Sequence, residues 1–489
     1  MSRVAAGSPN NMLGTSPIPQ SYFWSNFDQG QKKWPIPSAT LLVLFFLAGC
    51  TLPLVGGVQG LILAFIGAAF FPSKHIRDFL PKGDILSILS VTTAAMMVGN
   101  FDAIGDILGS DTVRFSWIFL VLSGLVIPFR VQRLRGRIGI CCVVVGILLG
   151  FNIFSSLGNT ELLRAVEING SYLAAYLLIS INLVRRKTRD TFVYHLVLII
   201  AINCGFSLFE ILFPGNSISI SSSRIGEQTV RSAGIYANAI TSGLMATNTL
   251  LLVSICSTKT NAGSKEKLAL FVFMGICGIG VLVTFSRSAV LCLFMAGVVS
   301  AFRLANNRFG KLMQYAPFVL AMLLISVLGA GEYLSQRGGL RRDATSRYDM
   351  VKEAMSGNMA PVFEAMQQRT TAWQPSRRYW EKPKAAGYGF NIISERQLYM
   401  PHNMVILTLA ETGWIGLLIF IATVLYLSGF GQWKMTSQNM VLFASVFLPL
   451  IFIILESHSL FTRRYFAIYL ALLAFASSVL LMPGNKEDR

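Results

Sequence analysis

Residues Leu268–Phe302 read "LALFVFMGICGIGVLVTFSRSAVLCLFMAGVVSAF". Two apolar runs, near 268–285 and 288–302, are joined by Ser286, Arg287 and Ser288 with almost no linker. The first run has the length of a helix that crosses a bilayer, about 17–25 residues. The second is shorter by about a turn on the same scale. Comparable blocks recur along the whole chain, near 36–52, 54–72, 85–100, 115–129, 138–154, 169–184, 192–213, 233–256, 314–330, 402–428, 438–456 and 465–482. With the opening pair they make fourteen. Charged residues are only 13% of the chain, about half the share of an ordinary soluble domain. Mean hydropathy is +0.58. Lipid offers the backbone no hydrogen bonds, so spanning segments of this length satisfy themselves as helices. The expected fold is an all-α polytopic membrane protein with about 12–14 transmembrane helices.

The net charge of +18 is distributed as a topology signal. With the N-terminal tail taken as inside and the connections alternated, 23 of the 41 Lys and Arg residues fall inside. Among them are Lys74, Arg77 and Lys82; Arg130, Arg133, Arg135 and Arg137; and Arg185, Arg186, Lys187 and Arg189. The short outside connections hold 7, and one long outside loop holds the other 11. That asymmetry is the positive-inside pattern, so the basic charge needs no nucleic-acid partner. The chain divides into a disordered cytoplasmic tail at 1–34 and a helix bundle at 35–330. A large extracytoplasmic loop at 331–400, C-terminal helices at 401–482 and a short cytoplasmic tail at 483–489 follow. The N-terminal stretch lacks the basic, apolar and small-residue regions of a signal peptide, so the first apolar block is expected to be an uncleaved anchor. The seven cysteines lie in or beside apolar blocks without metal-ligand spacing, and read as small buried hydrophobes.

Within the loop, "TSRYDMVKEAM" carries a Ser-x-x-Asp start and apolar residues at helical spacing, which predicts a short amphipathic helix. "QPSRRYWEKPKAAGYGF" is basic, aromatic and punctuated by Pro and Gly, which predicts repeated turns.

Polar residues gather on the outside face. Arg231 precedes an apolar block, Arg287 interrupts two of them, Arg347 lies in the long loop, and His402–Asn403 open the next helix in "PHNMVILTLAETGWIG". The "ESHSLFTRR" stretch, with Glu456, His458, Arg463 and Arg464, falls on the same side. Each has an ordinary alternative. Arg287 could snorkel from a helix end, Arg231 could be interfacial, Arg347 could sit on a solvated helix face, and His402 could be a plain helix-start residue. A charge between two apolar blocks is nonetheless costly, and marks a functional position by default. Several arginines at a water–membrane boundary suit a diphosphate, through forked charge-assisted hydrogen bonds. An imidazole beside them is kept neutral by its positive neighbours and can accept a proton. A neutral histidine beside a diphosphate ester fits group transfer, with the base on an acceptor hydroxyl and the arginines on the leaving group. Ser286, Ser288 and Asn403 are the supporting polar neighbours. Glu411 is about 13 Å along the helix from His402 and reads as a buried structural acid; Gly413 and Gly416 permit close helix approach. No nucleotide-binding glycine loop and no Asp-x-Asp pair is apparent.

Taken in order, "VRSAGIYANA", "FSRSAVL", "SRYDMVKEAM", "KAAGYGF" and "PHNMVILTLAETGWIGLL" resemble the signature stretches of the O-antigen ligase/polymerase family of bacterial envelope proteins. The resemblance covers roughly Val230 to Phe420. It implies a GT-C-like membrane glycosyltransferase of the lipid-linked-donor class that needs no metal or other cofactor. The donor would be a glycan on undecaprenyl diphosphate, used on the outer face of the bacterial inner membrane. Carried over by motif, Arg231 and Arg287 hold the diphosphate, Arg347 approaches the donor from the loop, and His402 is the base or acceptor-orienting residue. The partners implied are the lipid-linked donor, a glycan or lipid-core acceptor and membrane lipids, with room for a chain-length regulator. Two departures stand out. "YANA" replaces the Asn-Pro-Asn that often follows Arg-x-x-Gly in the family, and the stretch from Met355 to Gly387 is long. The long loop leans the reading toward a polymerase of O-antigen, capsule or exopolysaccharide; a ligase that attaches glycan to lipid A–core is the alternative. A polysaccharide transporter or flippase would also have many helices. It is expected to place its polar groups near the midplane on broken helices, whereas here they crowd one face. A structural membrane scaffold is the blandest alternative.

Overall fold

The computed structural model describes residues 36–71, 84–98, 115–134, 136–157, 162–213, 234–236, 239–256, 264–284, 286–304, 353, 356–360, 374–389, 392–396, 403–430, 447, 454 and 465–480. Among these every regular element is a helix. In chain order they are α1 (Ala39–Phe70), α2 (Ile85–Val98), α3 (Phe115–Arg130), α4 (Gly136–Phe154), α5 (Leu162–Val184), α6 (Arg186–Leu212) and α7 (Ala239–Cys256). They continue with α8 (Ser264–Leu282), α9 (Arg287–Leu304), the short α10 (Arg378–Glu381) and α11 (Ile392–Glu395), then α12 (Met404–Ser428) and α13 (Tyr465–Leu480). Among the described residues, five segments are long and apolar enough to cross a membrane: Ala39–Gly57, Gly136–Phe154, Leu162–Val184, Lys187–Leu212 and Met404–Ser428. The apolar blocks near 314–330 and 438–456 lie outside the described residues, save single positions in the latter.

α1 contains two of the expected blocks. Gly57 breaks it with φ 58° and ψ −143°, a region that only glycine occupies readily. Gly60 then lies against the Leu52 backbone, eight residues earlier. A straight helix would separate those residues by about 12 Å, so the chain folds back at Gly57.

α6 is the central helix. Leu196 through Ile202 are fully buried. α1 packs along it through two glycines: a methyl at Gly49 would strike the Ile202 carbonyl, and one at Gly205 would strike the Phe46 carbonyl. Such small-residue contacts let helix backbones approach closely in lipid, where no hydrophobic force draws helices together. Interhelical polar contacts add to the packing. Asn182 of α5 donates to the Ser90 carbonyl of α2 at 3.1 Å, and Asn152 of α4 donates to Asn169 of α5 at 3.2 Å. Large apolar side chains face outward on several helices, among them Val55, Leu63, Val121, Val143, Phe271 and Leu418. An outward apolar surface of this extent belongs to a lipid-facing bundle.

Several basic connections expected on one side of the membrane meet at one end of the bundle. Asp84, at the start of α2, pairs with Arg130 at the end of α3 and lies 3.8 Å from Arg185, just before α6. Arg137, at the start of α4, donates to the Tyr426 carbonyl near the end of α12 at 2.6 Å and stacks over its ring. Farther along, Gly416 of α12 lies against Phe151 of α4. These two helices therefore run antiparallel, and α12 begins at the opposite end. Tyr236 is at that opposite end too, where its hydroxyl donates to the Val98 carbonyl at the close of α2.

Candidate functional site

The stretches around Gly234, Ser286 and Asn403 each have described residues, and these lie at the end away from Asp84. The first surrounds Gly234 of "VRSAGIYANA". Gly234 has φ +53°, and a Cβ there would meet Asn203 Oδ1, Ser207 Oγ and Ser242 Oγ. Its N–H donates to the Glu210 carboxylate at 2.9 Å. Asn203 donates to Ser242 Oγ at 2.9 Å, and the Ser207 and Ser242 hydroxyls are 3.3 Å apart. Asn203, Ser207 and Glu210 follow at spacings of four and three, which puts them on one face of α6. They form a polar cradle that fixes the glycine three residues after Arg231. Arg231 itself lies outside the described residues.

The second stretch is the Ser-Arg-Ser turn. α8 ends at Leu282 and α9 begins at Arg287. Ser286 is buried, and its Oγ accepts from the Ala289 N–H at 3.3 Å, the contact of a helix N-cap. The Thr284 hydroxyl in turn accepts from the Ser286 N–H at 3.4 Å. Arg287 and Ser288 are therefore the first residues of α9, at its electropositive end; their side chains lie outside the described residues.

α7 joins these two stretches. Ser242 belongs to the cradle of Gly234, and the adjacent Gly243 packs so tightly against the turn that a methyl would strike the Ala289 side chain and crowd Thr284. One point on α7 thus carries both arginine-bearing motifs.

The third stretch is the start of α12. Asn403 is its N-cap: Oδ1 accepts from Val405 N–H at 2.9 Å and from Ile406 N–H at 3.2 Å. His402 and Arg347 lie outside the described residues, as do Glu456, His458, Arg463, Arg464 and almost all of the expected loop helix in "TSRYDMVKEAM".

α12 departs from the expected continuous helix. It breaks at Gly413, with φ 67° and ψ −165°. Glu411 is buried at 6% exposure, as expected for a structural acid, and Gly416 makes a close approach to α4. Gly413 instead opens the helix to the loop. The stretch before it turns repeatedly, through a 3-10 turn at Gln374–Ser376, the single turn of α10 and two positive-φ glycines, Gly387 and Gly389. Tyr388 and Gly389 then donate their N–H groups to the Ala410 and Glu411 carbonyls at 3.0 and 2.9 Å.

Sequence reading missed the cradle of Asn203, Ser207, Glu210 and Ser242. Its signal was present as three polar residues on one stripe of an apolar helix. It also missed the docking of the loop on α12, which no local pattern encodes. Among the described residues no group of three His, Cys, Asp or Glu side chains is placed to hold a metal ion.

No curated protein and no solved structure matches the chain. Residues 270–421, about a third of the chain, include Ser286, Arg287, Ser288, Arg347, His402 and Asn403 but not Arg231; this stretch of a multi-pass membrane protein matches the family model described as O-antigen ligase, and there the chain is similar to that family.

Proposed function

We propose that this protein transfers a glycan from an undecaprenyl-diphosphate carrier to a hydroxyl acceptor on the outer face of the bacterial inner membrane. In the step proposed, the acceptor oxygen bonds to the anomeric carbon of the donor sugar as the bond from that carbon to the diphosphate breaks. The acceptor's proton passes to His402, and the charge that develops on the diphosphate is taken by Arg231, Arg287 and Arg347. Forked guanidinium donors suit that leaving group, and a base of near-neutral pKa suits the proton transfer. One observation carries the reading: the Gly234 and Ser286 motif stretches meet on Ser242–Gly243 of α7, at the bundle end where the Asn403-capped helix also begins. The start of α9 at Arg287 adds a helix N-terminus, which favours a bound anion. The acceptor is proposed to be a growing polysaccharide of the O-antigen, capsule or exopolysaccharide type, because the long loop offers a surface for a polymer. Ligation to lipid A–core is the second reading, favoured by the description of the matching family.

The test uses purified protein with a synthetic lipid-diphosphate glycan. Release of the lipid diphosphate is expected from the wild type. A fall of roughly 100-fold or more is expected in His402→Ala and in Arg287→Ala, the usual scale for loss of a general base or a charge-stabilising donor. Undiminished release in both variants would defeat the assignment. Laddered products mark a polymerase; a single addition to lipid A–core marks a ligase.

A further inference from the structure

In an unbroken helix the Ala410 carbonyl would accept from the Trp414 N–H, and the Glu411 carbonyl from the Ile415 N–H. Here the loop takes both places. Tyr388 N–H donates to Ala410 O at 3.0 Å, Gly389 N–H donates to Glu411 O at 2.9 Å, and the displaced Ile415 N–H donates to Ala385 O at 3.2 Å. The exchange gives both carbonyls and the Ile415 amide new partners, as buried backbone polar groups require. The fit is close on both sides. A methyl at Gly387 would strike the Glu411 carbonyl and the Thr412 amide, and one at Gly413 would strike the carbonyls of Lys384 and Ala385. Both glycines have positive φ, 78° and 67°, and Gly413 occupies a region almost reserved for glycine. Aromatic contacts brace the turn: the rings of Tyr379 and Tyr388 meet edge to face with centroids 5.0 Å apart, and Lys384 lies over the Tyr388 ring.

We propose that Gly387, Tyr388 and Gly413 form a register clamp that holds the extracytoplasmic loop on the N-terminal segment of α12, and that they are positioning residues for His402. The segment from Met404 to Thr412 is only about two and a half turns long, too short to be a stable helix without tertiary support. One end is pinned by the loop and the other by the Asn403 cap, so the start of α12, next to His402 in the sequence, has a fixed place relative to the loop. The role in transfer rests on the glycosyl-transfer reading; the clamp itself does not.

The test compares Gly413→Ala with Gly57→Ala. Gly57 has nearly the same backbone strain, but among the described residues no atom lies within 4 Å of a Cβ placed there, so no described loop docks at its break. Hydrogen–deuterium exchange is read over 384–389 and 404–416 in detergent, together with lipid-diphosphate release per folded molecule. In Gly413→Ala both segments are expected to lose protection together. Release is expected to fall at least 10-fold in kcat, with the donor KM within about threefold, the mark of misplacement of a catalytic group. Gly57→Ala is expected to leave both readouts as in the wild type. Retained protection at 404–412, unchanged release in Gly413→Ala, or an equal loss of release in both variants would overturn the proposal. A wild type that releases no lipid diphosphate defeats the transfer reading, while the exchange pattern still decides the clamp.

Discussion

Gly234 donates its backbone N–H to the Glu210 carboxylate at 2.9 Å, and this hydrogen bond helps tie the segment before α7 to the close of α6. The loop approaches the helix so closely that no side chain fits at Gly234, and the Asn203, Ser207 and Ser242 oxygens fill the space a Cβ would need. A hydrogen bond to a charged acceptor contributes about 1.5–3 kcal/mol. Glu210→Ala is therefore expected to lower stability by about 1–3 kcal/mol, read as thermal unfolding in detergent. Glu210→Gln keeps an acceptor oxygen and is expected to retain more than half of the lost stability. Equal losses in the two variants would show that the carboxylate's charge, not its acceptor geometry, holds the loop.

Asp84 gives a pH-dependent prediction at the other end of the bundle. Burial raises its pKa, but the Ser87 hydroxyl and amide together with Arg130 outweigh that and hold the carboxyl below its usual range. A depressed pKa means the folded protein binds the proton less readily than the unfolded chain. Asp84 therefore stabilises the fold fully above its unfolded pKa, about 3.9, and this contribution is lost as pH falls through the lower folded value. The Arg130 side chain is only 8% exposed, so removing its partner strands a buried charge. Asp84→Asn is expected to lower the melting temperature by a constant amount above about pH 5, with the gap closing below about pH 4. A gap that does not change with pH would show that the Ser87 cap, rather than the charge, supplies the stability.

Composition and block length carry the fold class because lipid leaves the backbone few choices. The alternation of Lys and Arg pairs connections that do meet in space, as Asp84 with Arg130 and Arg185 shows. The turn within α1 is foreshadowed by Gly56–Gly57, though its place is fixed by the return of Gly60 onto Leu52. The motif stretches stand out in the sequence because charges beside apolar blocks are costly. The contacts that hold Gly234 and Gly413 were less legible. Asn203 and Ser207 of α6 and Ser242 of α7 are ordinary polar residues of apolar helices until the chain brings Gly234 onto them. Gly413 resembles any small residue of a packed helix, and only the arrival of Ala385–Gly389, more than twenty residues earlier, turns it into a break.

Asn403 separates two roles that its position beside His402 would otherwise confuse. Its Oδ1 accepts from both Val405 and Ile406, which accounts for an asparagine at this position through capping alone. Replacing such a cap by alanine costs about 1 kcal/mol, whereas aspartate and serine cap comparably well. If Asn403 acts only by fixing the start of α12, then Asn403→Asp and Asn403→Ser keep transfer near wild type, within about threefold. In the same case Asn403→Ala frays the helix, displaces His402 and lowers kcat, without shifting the pH profile of the remaining activity. If the side chain instead contacts the diphosphate, Asn403→Asp places a negative charge against the donor. It should then lose transfer by 10-fold or more, the loss easing as the pH is lowered toward the aspartate pKa. Steady-state kinetics of the three variants from pH 5 to 8 decide between the two. The cap geometry predicts the first pattern, with the aspartate variant active across the range.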